Sequence, residues 1–96
     1  MITSQRIRDL RLMAGLRQED MAFLLGVGIA SINRWERPGN TLPTGLPREI
    51  YEVLNGLAEQ GVSLAGIAQR LRAEGSLSTV RWLLNTYHDR RPQESA

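Results

Sequence analysis

Residues 10–36, LRLMAGLRQEDMAFLLGVGIASINRWE, contain two helical patterns separated by a three-residue turn. The first pattern begins at Gln18 and has apolar residues at helical spacing, which are Met21, Ala22, Leu24 and Leu25. Gly26 ends this pattern, because glycine readily adopts the positive φ that terminates many helices. The segment therefore predicts a short helix over residues 18–25 followed by a tight turn.

The second pattern begins at Gly28 or Ile29 and has a free face as well as a buried one. Ile32 and Trp35 lie three positions apart and share the face that would pack into the core. The side chains left to point elsewhere are Ile29, Ala30, Asn33 and Arg34. A short helix of this kind is suited to presenting side chains to a partner.

Length and composition limit the classes of function. Ninety-six residues make one domain with a modest core, and no nucleophile lies at a recognisable spacing from a base, so we do not expect an enzyme. The chain has no cysteine and one histidine, which excludes a thiolate or histidine-based zinc site, so we expect no metal and no cofactor. Apolar runs are too short to span a membrane and the N-terminus lacks a signal-peptide pattern, so we expect a cytoplasmic protein with no membrane partner.

The charge distribution alone does not indicate a nucleic-acid partner. The formal net charge is +2 with a pI near 9.9, and all twelve basic residues are arginine. Residues 1–60 carry seven arginines against seven acidic residues, and the basic excess lies in the last third. The absence of lysine fits codon bias in a GC-rich genome, with selection for phosphate-binding guanidinium groups as the alternative.

The whole chain shows helical periodicity, which predicts an all-α fold. Helix one is predicted from an N-cap at Ser4 to Ala14, with Ile7, Leu10 and Met13 inward, and helix three over 29–37. Helix four is predicted to begin near Leu46 or Pro47, with one apolar stripe made of Leu46, Ile50, Val53, Leu54 and Leu57.

The C-terminal third continues this pattern with two more helices. Helix five is predicted after an N-cap at Ser63 and up to Gly75, with Leu64, Ile67, Ala68 and Leu71 apolar. Helix six is predicted over 77–88, with an apolar stripe made of Val80, Leu83, Leu84 and Tyr87. Residues 91–96 are predicted to be a disordered tail.

Residues 4–60 resemble the Cro/repressor class of helix-turn-helix regulators of phages and bacteria. The resemblance is carried by Arg11, Gly15-Leu16, Gln18, Ala22, Leu25-Gly26-Val27, Ile32, Trp35-Glu36 and the Pro43 to Pro47 entry into helix four. It implies a five-helix Cro/repressor-like domain, here with an additional C-terminal helix. We therefore divide the chain into a DNA-binding domain over 1–60 and C-terminal helices over 61–90, which we expect to cover the core and to form a dimer, because one recognition helix reads too few base pairs to select a site. The function implied is that of a dimeric repressor that binds a palindromic double-stranded operator.

The resemblance also assigns roles to individual residues. Helix three would enter the major groove, with Ile29, Ala30, Asn33 and Arg34 at the base-reading positions. Phosphate contacts would come from Arg17, Gln18, Arg37, Asn40 and Thr41. Arg11 and Glu36 would form a partly buried ion pair that joins helix one to the end of helix three, in preference to lying on solvated faces.

The C-terminal third has two interpretations. Its segment SLAGIAQRLRAEGSLSTVRWLL also resembles a helix-turn-helix, of the kind found in transposases and recombinases, with a turn about two residues longer than usual. The alternative is that helices five and six cover the core and provide a dimer face, with Trp82, Leu83, Leu84 and Tyr87 at the interface. In that interpretation Trp82 lies off the apolar stripe and is exposed in a monomer.

Two other functions remain open at this point. Antitoxins that regulate their own operons share the fold, and such a protein would also bind a toxin. A protein-interaction module could keep the fold without reading bases, and the apolar start of helix three at Ile29-Ala30 favours that alternative.

Overall fold

The computed structural model describes residues 2–90, which contain six α-helices joined by turns and loops. They are α1 (Ser4–Met13), α2 (Gln18–Leu25), α3 (Ile29–Trp35), α4 (Gly45–Glu59), α5 (Ile67–Glu74) and α6 (Ser76–Arg90). The predicted all-α class is confirmed over these residues, where the helix-turn-helix of α2 and α3 and the additional C-terminal helix are both present. The predicted tail at 91–96 lies outside the described residues.

Local capping interactions determine where the first helices begin and end. The Thr3 hydroxyl accepts a hydrogen bond of 3.1 Å from the Arg6 amide, so Thr3, and not Ser4 as predicted, is the N-cap of α1. Gly26 has φ 70° at the end of α2, and the next amide, that of Val27, donates to Ala22 O at 3.0 Å. This left-handed residue turns the chain sharply into α3, as the sequence predicts.

One hydrophobic core joins the helix-turn-helix segment to the C-terminal third. Helix α4 packs against α1, α2 and α6, and α6 also packs against α2 and α5. Leu64, Ile67, Leu71 and Leu83 from the last third are buried in the same cluster as Ile7, Leu10, Met21 and Ile32. Helices α5 and α6 therefore complete the core.

Two residues predicted to be buried, Met13 and Leu46, are exposed, whereas Tyr51 of α4, which was not predicted, is buried. Met13 and Leu46 are 46% and 54% exposed, because each lies in an end turn of its helix. The buried stripe of α4 begins one turn after Leu46, at Ile50, and includes the fully buried Tyr51. Since α4 has neighbours on more than one side, its buried stripe is wider than the predicted one.

The C-terminal third differs from the sequence prediction in its helix boundaries. Ser63 is not a helix N-cap, since its hydroxyl accepts from the Ala65 amide at 3.3 Å in the loop before α5. Only Gly75, with φ 86°, separates α5 from α6. The predicted long turn is therefore wrong, because α6 begins earlier than residue 77. The Thr79 side chain, which the second helix-turn-helix resemblance included, is fully buried and donates to Gly75 O at 2.7 Å.

Candidate nucleic-acid interface

Helix α3 separates a buried side from an exposed side, as its sequence pattern predicts. Ile32 is completely buried, and Trp35 is half-buried with its ring edge-on to Tyr51 at a centroid distance of 6.4 Å. On the other side Ile29 is 51% exposed and Arg34 is also exposed. The exposed side faces an open groove.

This groove, called here the α3 groove, encloses about 590 Å³ and has a mixed polar and basic lining. Its lining residues are Gln18, Ile29, Ala30, Asn33, Arg34, Arg37 and Asn40. The lining contains two guanidinium groups, three carboxamides and no carboxylate. The structure thus brings together seven of the nine residues that the resemblance assigns to DNA contacts, and leaves Arg17 and Thr41 outside the lining.

A bidentate ion pair fixes the end of α3 to α1. Arg11 Nε and Nη2 donate to the two carboxylate oxygens of Glu36 at 2.7 and 2.9 Å, and Arg11 Nη1 donates to Leu16 O at 2.9 Å. The side chains of Arg11 and Glu36 are only 10% and 5% exposed. The pair compensates the charge of a carboxylate that water hardly reaches, and it fixes the C-terminal end of α3 relative to α1.

Gln18 connects this ion pair to the exposed side of α3. Its Nε2 donates to Glu36 Oε1 at 3.3 Å, and its Oε1 accepts from Asn33 Nδ2 at 3.4 Å. The first residue of α2 thus contacts one side chain of α3, Asn33, and the C-cap of that helix, Glu36. A side chain assigned to phosphate contact also contacts one assigned to base reading.

Arg17, by contrast, is paired with acidic neighbours in the same turn. Its guanidinium lies 3.1 Å from Glu19 and 3.2 Å from Asp20, and its amide donates to Asp20 at 2.9 Å. The hydrogen bond from the Arg17 backbone amide holds the pKa of the Asp20 carboxyl below its ordinary value, and the hydrogen bond to the Asp20 side chain raises the pKa of Arg17. A phosphate at the start of α2 would have to compete with two carboxylates for this guanidinium.

Arg8 is a candidate phosphate contact that the sequence analysis did not identify. It lines a shallow depression of about 230 Å³ together with Gln18, Asn33, Glu36 and Arg37, adjacent to the α3 groove. The available signal was its position on α1, one turn before Arg11 and on the same side of the helix. The side chain one turn before Arg11 on that face should border the same site as the ion pair.

The four residues predicted for a dimer interface do not form one surface. Leu83 is 1% exposed and belongs to the core of the chain itself, so its assignment to an interface is wrong. Trp82 is half-buried and not exposed as predicted, because the Arg70 guanidinium of α5 lies 4.3 Å from its ring. Leu84 and Tyr87 border a different region, the groove between α4 and α6.

None of the helices within residues 2–90 is long and apolar enough to cross a membrane. Over the same range, no three acidic or histidine side chains come together in a way that could hold a metal ion.

Comparison with known proteins gives one match. A family model described as helix-turn-helix matches residues 7–43, which span α1 to the loop before α4. No curated protein and no solved structure matches the chain. Taken with the turn at Gly26 and the exposed side of α3, this match identifies residues 7–43 as a helix-turn-helix DNA-binding segment of the Cro/repressor type, the kind found in transcriptional regulators.

Proposed function

We propose that this protein is a sequence-specific transcriptional repressor that binds a palindromic DNA site as a homodimer, with α3 in the major groove. The observation that carries this proposal is the lining of the α3 groove, where arginine and carboxamide side chains meet without a carboxylate. Phosphates and base edges are hydrogen-bonded by these groups, and an acidic lining would repel them.

The position of each side chain supports a particular role. Arg34 is exposed on α3 and can bind guanine O6 and N7 together, while Ile29 can contact a thymine methyl group. Asn33 can bind adenine through N6 and N7. Arg37 and Asn40 follow α3 and would contact phosphates, and we add Arg8 to this set because it borders the same region.

Selection of bound sequences from a random DNA library, followed by anisotropy titrations on the selected site, tests base reading. Arg34→Ala should reduce binding to the selected site by about 1–3 kcal/mol and leave nonspecific binding almost unchanged. Arg37→Ala is the matched control, because loss of a phosphate contact lowers affinity on every sequence and reduces the salt slope by about one. Equal losses on all DNA for both variants would contradict the assignment of Arg34.

The proposal of a dimer rests first on the size of the site that one α3 can read. A single recognition helix contacts too few base pairs to select a site in a genome, whereas a two-fold dimer places two helices about 34–36 Å apart on one face of DNA. The groove between α4 and α6 offers a surface for this contact, with Leu84 and Tyr87 bordered by Glu49, Glu52 and His88. Leu46 lies one turn before Glu49 and is 54% exposed.

Sedimentation of the full chain tests the dimer and its location. Leu46→Asp should convert a dimer at tens of micromolar into a monomer without loss of helicity, because the side chain is already exposed. Leu77→Asp is the control, since Leu77 is 73% exposed at the opposite end of the α4–α6 pair, near the start of α6. A wild-type monomer at these concentrations would refute the dimer, and a dimeric Leu46→Asp variant would refute this location.

A protein-interaction role, including that of an autoregulating antitoxin with a toxin partner, is the second candidate. Phe23 and Leu12 are apolar side chains that are 58% and 54% exposed, and they lie outside the α3 groove, where a protein partner could cover them. An interaction module without base reading would select no sequence from the library, whereas an antitoxin would select one and still bind a protein.

A further inference from the structure

A chain of hydrogen bonds runs from the core to the α3 groove. It begins at the guanidinium of Arg11, continues through the carboxylate of Glu36 and the carboxamide of Gln18, and ends at the carboxamide of Asn33. Gln18 and Asn33 both line the groove, and Asn33 is the member at a base-reading position of α3. The order of donors and acceptors along this chain determines what Asn33 presents there.

The polarity of the chain is set by Glu36. A carboxylate bound by a guanidinium can only accept hydrogen bonds, so Gln18 must direct its NH2 group towards Glu36. The carbonyl oxygen of Gln18 then points the other way, where it can only accept, and Asn33 directs its own NH2 group towards it. Asn33 Oδ1, which has no hydrogen-bond partner among residues 2–90, is left as the acceptor on the opposite side of that carboxamide.

Fixing this orientation has a consequence for base selection. Adenine offers a donor at N6 beside an acceptor at N7, whereas guanine offers two acceptors, O6 and N7. A fixed Asn33 can accept from N6 and donate its second Nδ2 hydrogen to N7, but its Oδ1 would face the O6 of guanine. An asparagine free to turn its carboxamide over would discriminate less well, because the reversed group can donate to O6 of guanine, although its Oδ1 then faces the acceptor N7.

We propose that Gln18 is a positioning residue that makes Asn33 selective for adenine over guanine by holding its carboxamide in one orientation. This inference rests on the proposed function, since it requires that α3 reads bases. It assigns to Gln18 a role in specificity in addition to the phosphate contact that the resemblance implies. Glu36 does not line the α3 groove, but it orients the Gln18 carboxamide and through it the carboxamide of Asn33.

The test compares Gln18→Met with the wild type on paired DNA sites. Methionine keeps the length of the side chain and removes both hydrogen bonds. The base pair read by Asn33 is first identified as the position where Asn33→Ala loses discrimination in the selected site. At that position we expect Gln18→Met to lower the ratio of adenine to guanine affinity by about fivefold, the equivalent of one hydrogen bond, while discrimination at the Arg34 position stays unchanged.

Gln60→Met is the matched control, because Gln60 is exposed at the end of α4 and lines neither depression around α3. It should leave affinity and selectivity at wild-type values. A Gln18→Met variant that loses affinity equally on all sites, with an unchanged ratio of adenine to guanine, would overturn the inference and leave the proposed function standing. A wild type that selects no sequence would overturn both.

A measurement without DNA separates these outcomes further. In the free protein, the Asn33 side-chain NH2 signals should show hydrogen exchange about fivefold slower than in Gln18→Met, because one hydrogen is bonded to Gln18. Identical exchange in the two proteins would show that Gln18 does not hold the carboxamide, and would overturn the inference whatever DNA the protein selects.

Discussion

Arg11→Met is the substitution for which the structure makes the strongest prediction about stability. Methionine retains most of the aliphatic stem of Arg11, so packing against α1 neighbours is largely kept. What is lost is the guanidinium group, with two hydrogen bonds to Glu36 at 2.7 and 2.9 Å and one to Leu16 O at 2.9 Å. The carboxylate of Glu36 then keeps only the 3.3 Å bond from Gln18.

The expected loss is large because water hardly reaches the carboxylate that remains. The Glu36 side chain is 5% exposed, and removal of one partner from a buried ion pair costs about 3–5 kcal/mol. The whole free energy of unfolding of a small domain is about 5–15 kcal/mol. For a domain of this size the melting temperature should therefore fall by about 12–40 °C, at roughly 4–8 °C per kcal/mol.

Urea denaturation followed by helical circular dichroism measures this loss, with a surface ion pair as control. Arg48 and Glu52 on α4 lie 3.0 Å apart, but their side chains are 49% and 53% exposed. Arg48→Met should therefore cost about 0.3–0.5 kcal/mol. The double variant Arg11→Met/Glu36→Leu should recover much of the loss of the single variant, since no buried charge remains.

Two results would refute this reasoning. An Arg11→Met protein no less stable than Arg48→Met would show that the Glu36 carboxylate is solvated in the folded protein. A double variant as unstable as Arg11→Met would show that the loss comes from packing or from the Leu16 contact, and not from an unpaired carboxylate.

Four further predictions concern Tyr51, Gly56 and Thr3. Tyr51 has a buried hydroxyl without a hydrogen-bond partner among residues 2–90, so Tyr51→Phe should leave stability at pH 7 unchanged or raise it by up to about 1 kcal/mol, and a loss above that would contradict the unpaired state. Burial raises the pKa of the Tyr51 phenol, so above about pH 10 the unfolded chain loses this proton before the folded protein does, and the free energy of unfolding falls as pH rises. Because the chain has no lysine that titrates in the same range, urea titrations at pH 8 and pH 11 should show a smaller fall in the free energy of unfolding for Tyr51→Phe than for the wild type. Gly56→Ala should destabilise the fold by about 1–3 kcal/mol despite the better helix propensity of alanine, because a methyl group there would overlap the Tyr87 ring. Gly66→Ala is the control and should be neutral, since its methyl group would meet no atom within 4 Å; equal melting temperatures for the two variants would contradict the contact with Tyr87. Thr3→Ala should cost about 1 kcal/mol by removing the N-cap of α1, and a melting temperature equal to that of wild type would show that the cap does not contribute.

The candidate site was largely predictable because its residues are close in sequence. Ile29, Asn33 and Arg34 lie within two turns of one helix, and the apolar pair that buries the other side of that helix is visible in the sequence. Arg8 was missed because it belongs to α1, and a residue on a separate helix joins a site only through the packing angle. The competition of acidic neighbours for Arg17 was missed for another reason, since three charged side chains in one turn can pair or point apart, and the backbone conformation decides between these arrangements.

The order of the six helices and the limits of α2 follow from local sequence, because glycines at positive φ and apolar residues at helical spacing act over one or two turns of chain. Which parts of those helices are buried depends on how they pack against one another. Leu46 and Tyr51 illustrate this, since burial on α4 depends on where α1, α2 and α6 cross it. The same holds for the last helix, where Leu83 fills the core and Trp82 packs under Arg70 of α5. Periodicity identifies an apolar face, but whether a neighbouring helix or another molecule covers that face depends on contacts between residues far apart in the chain.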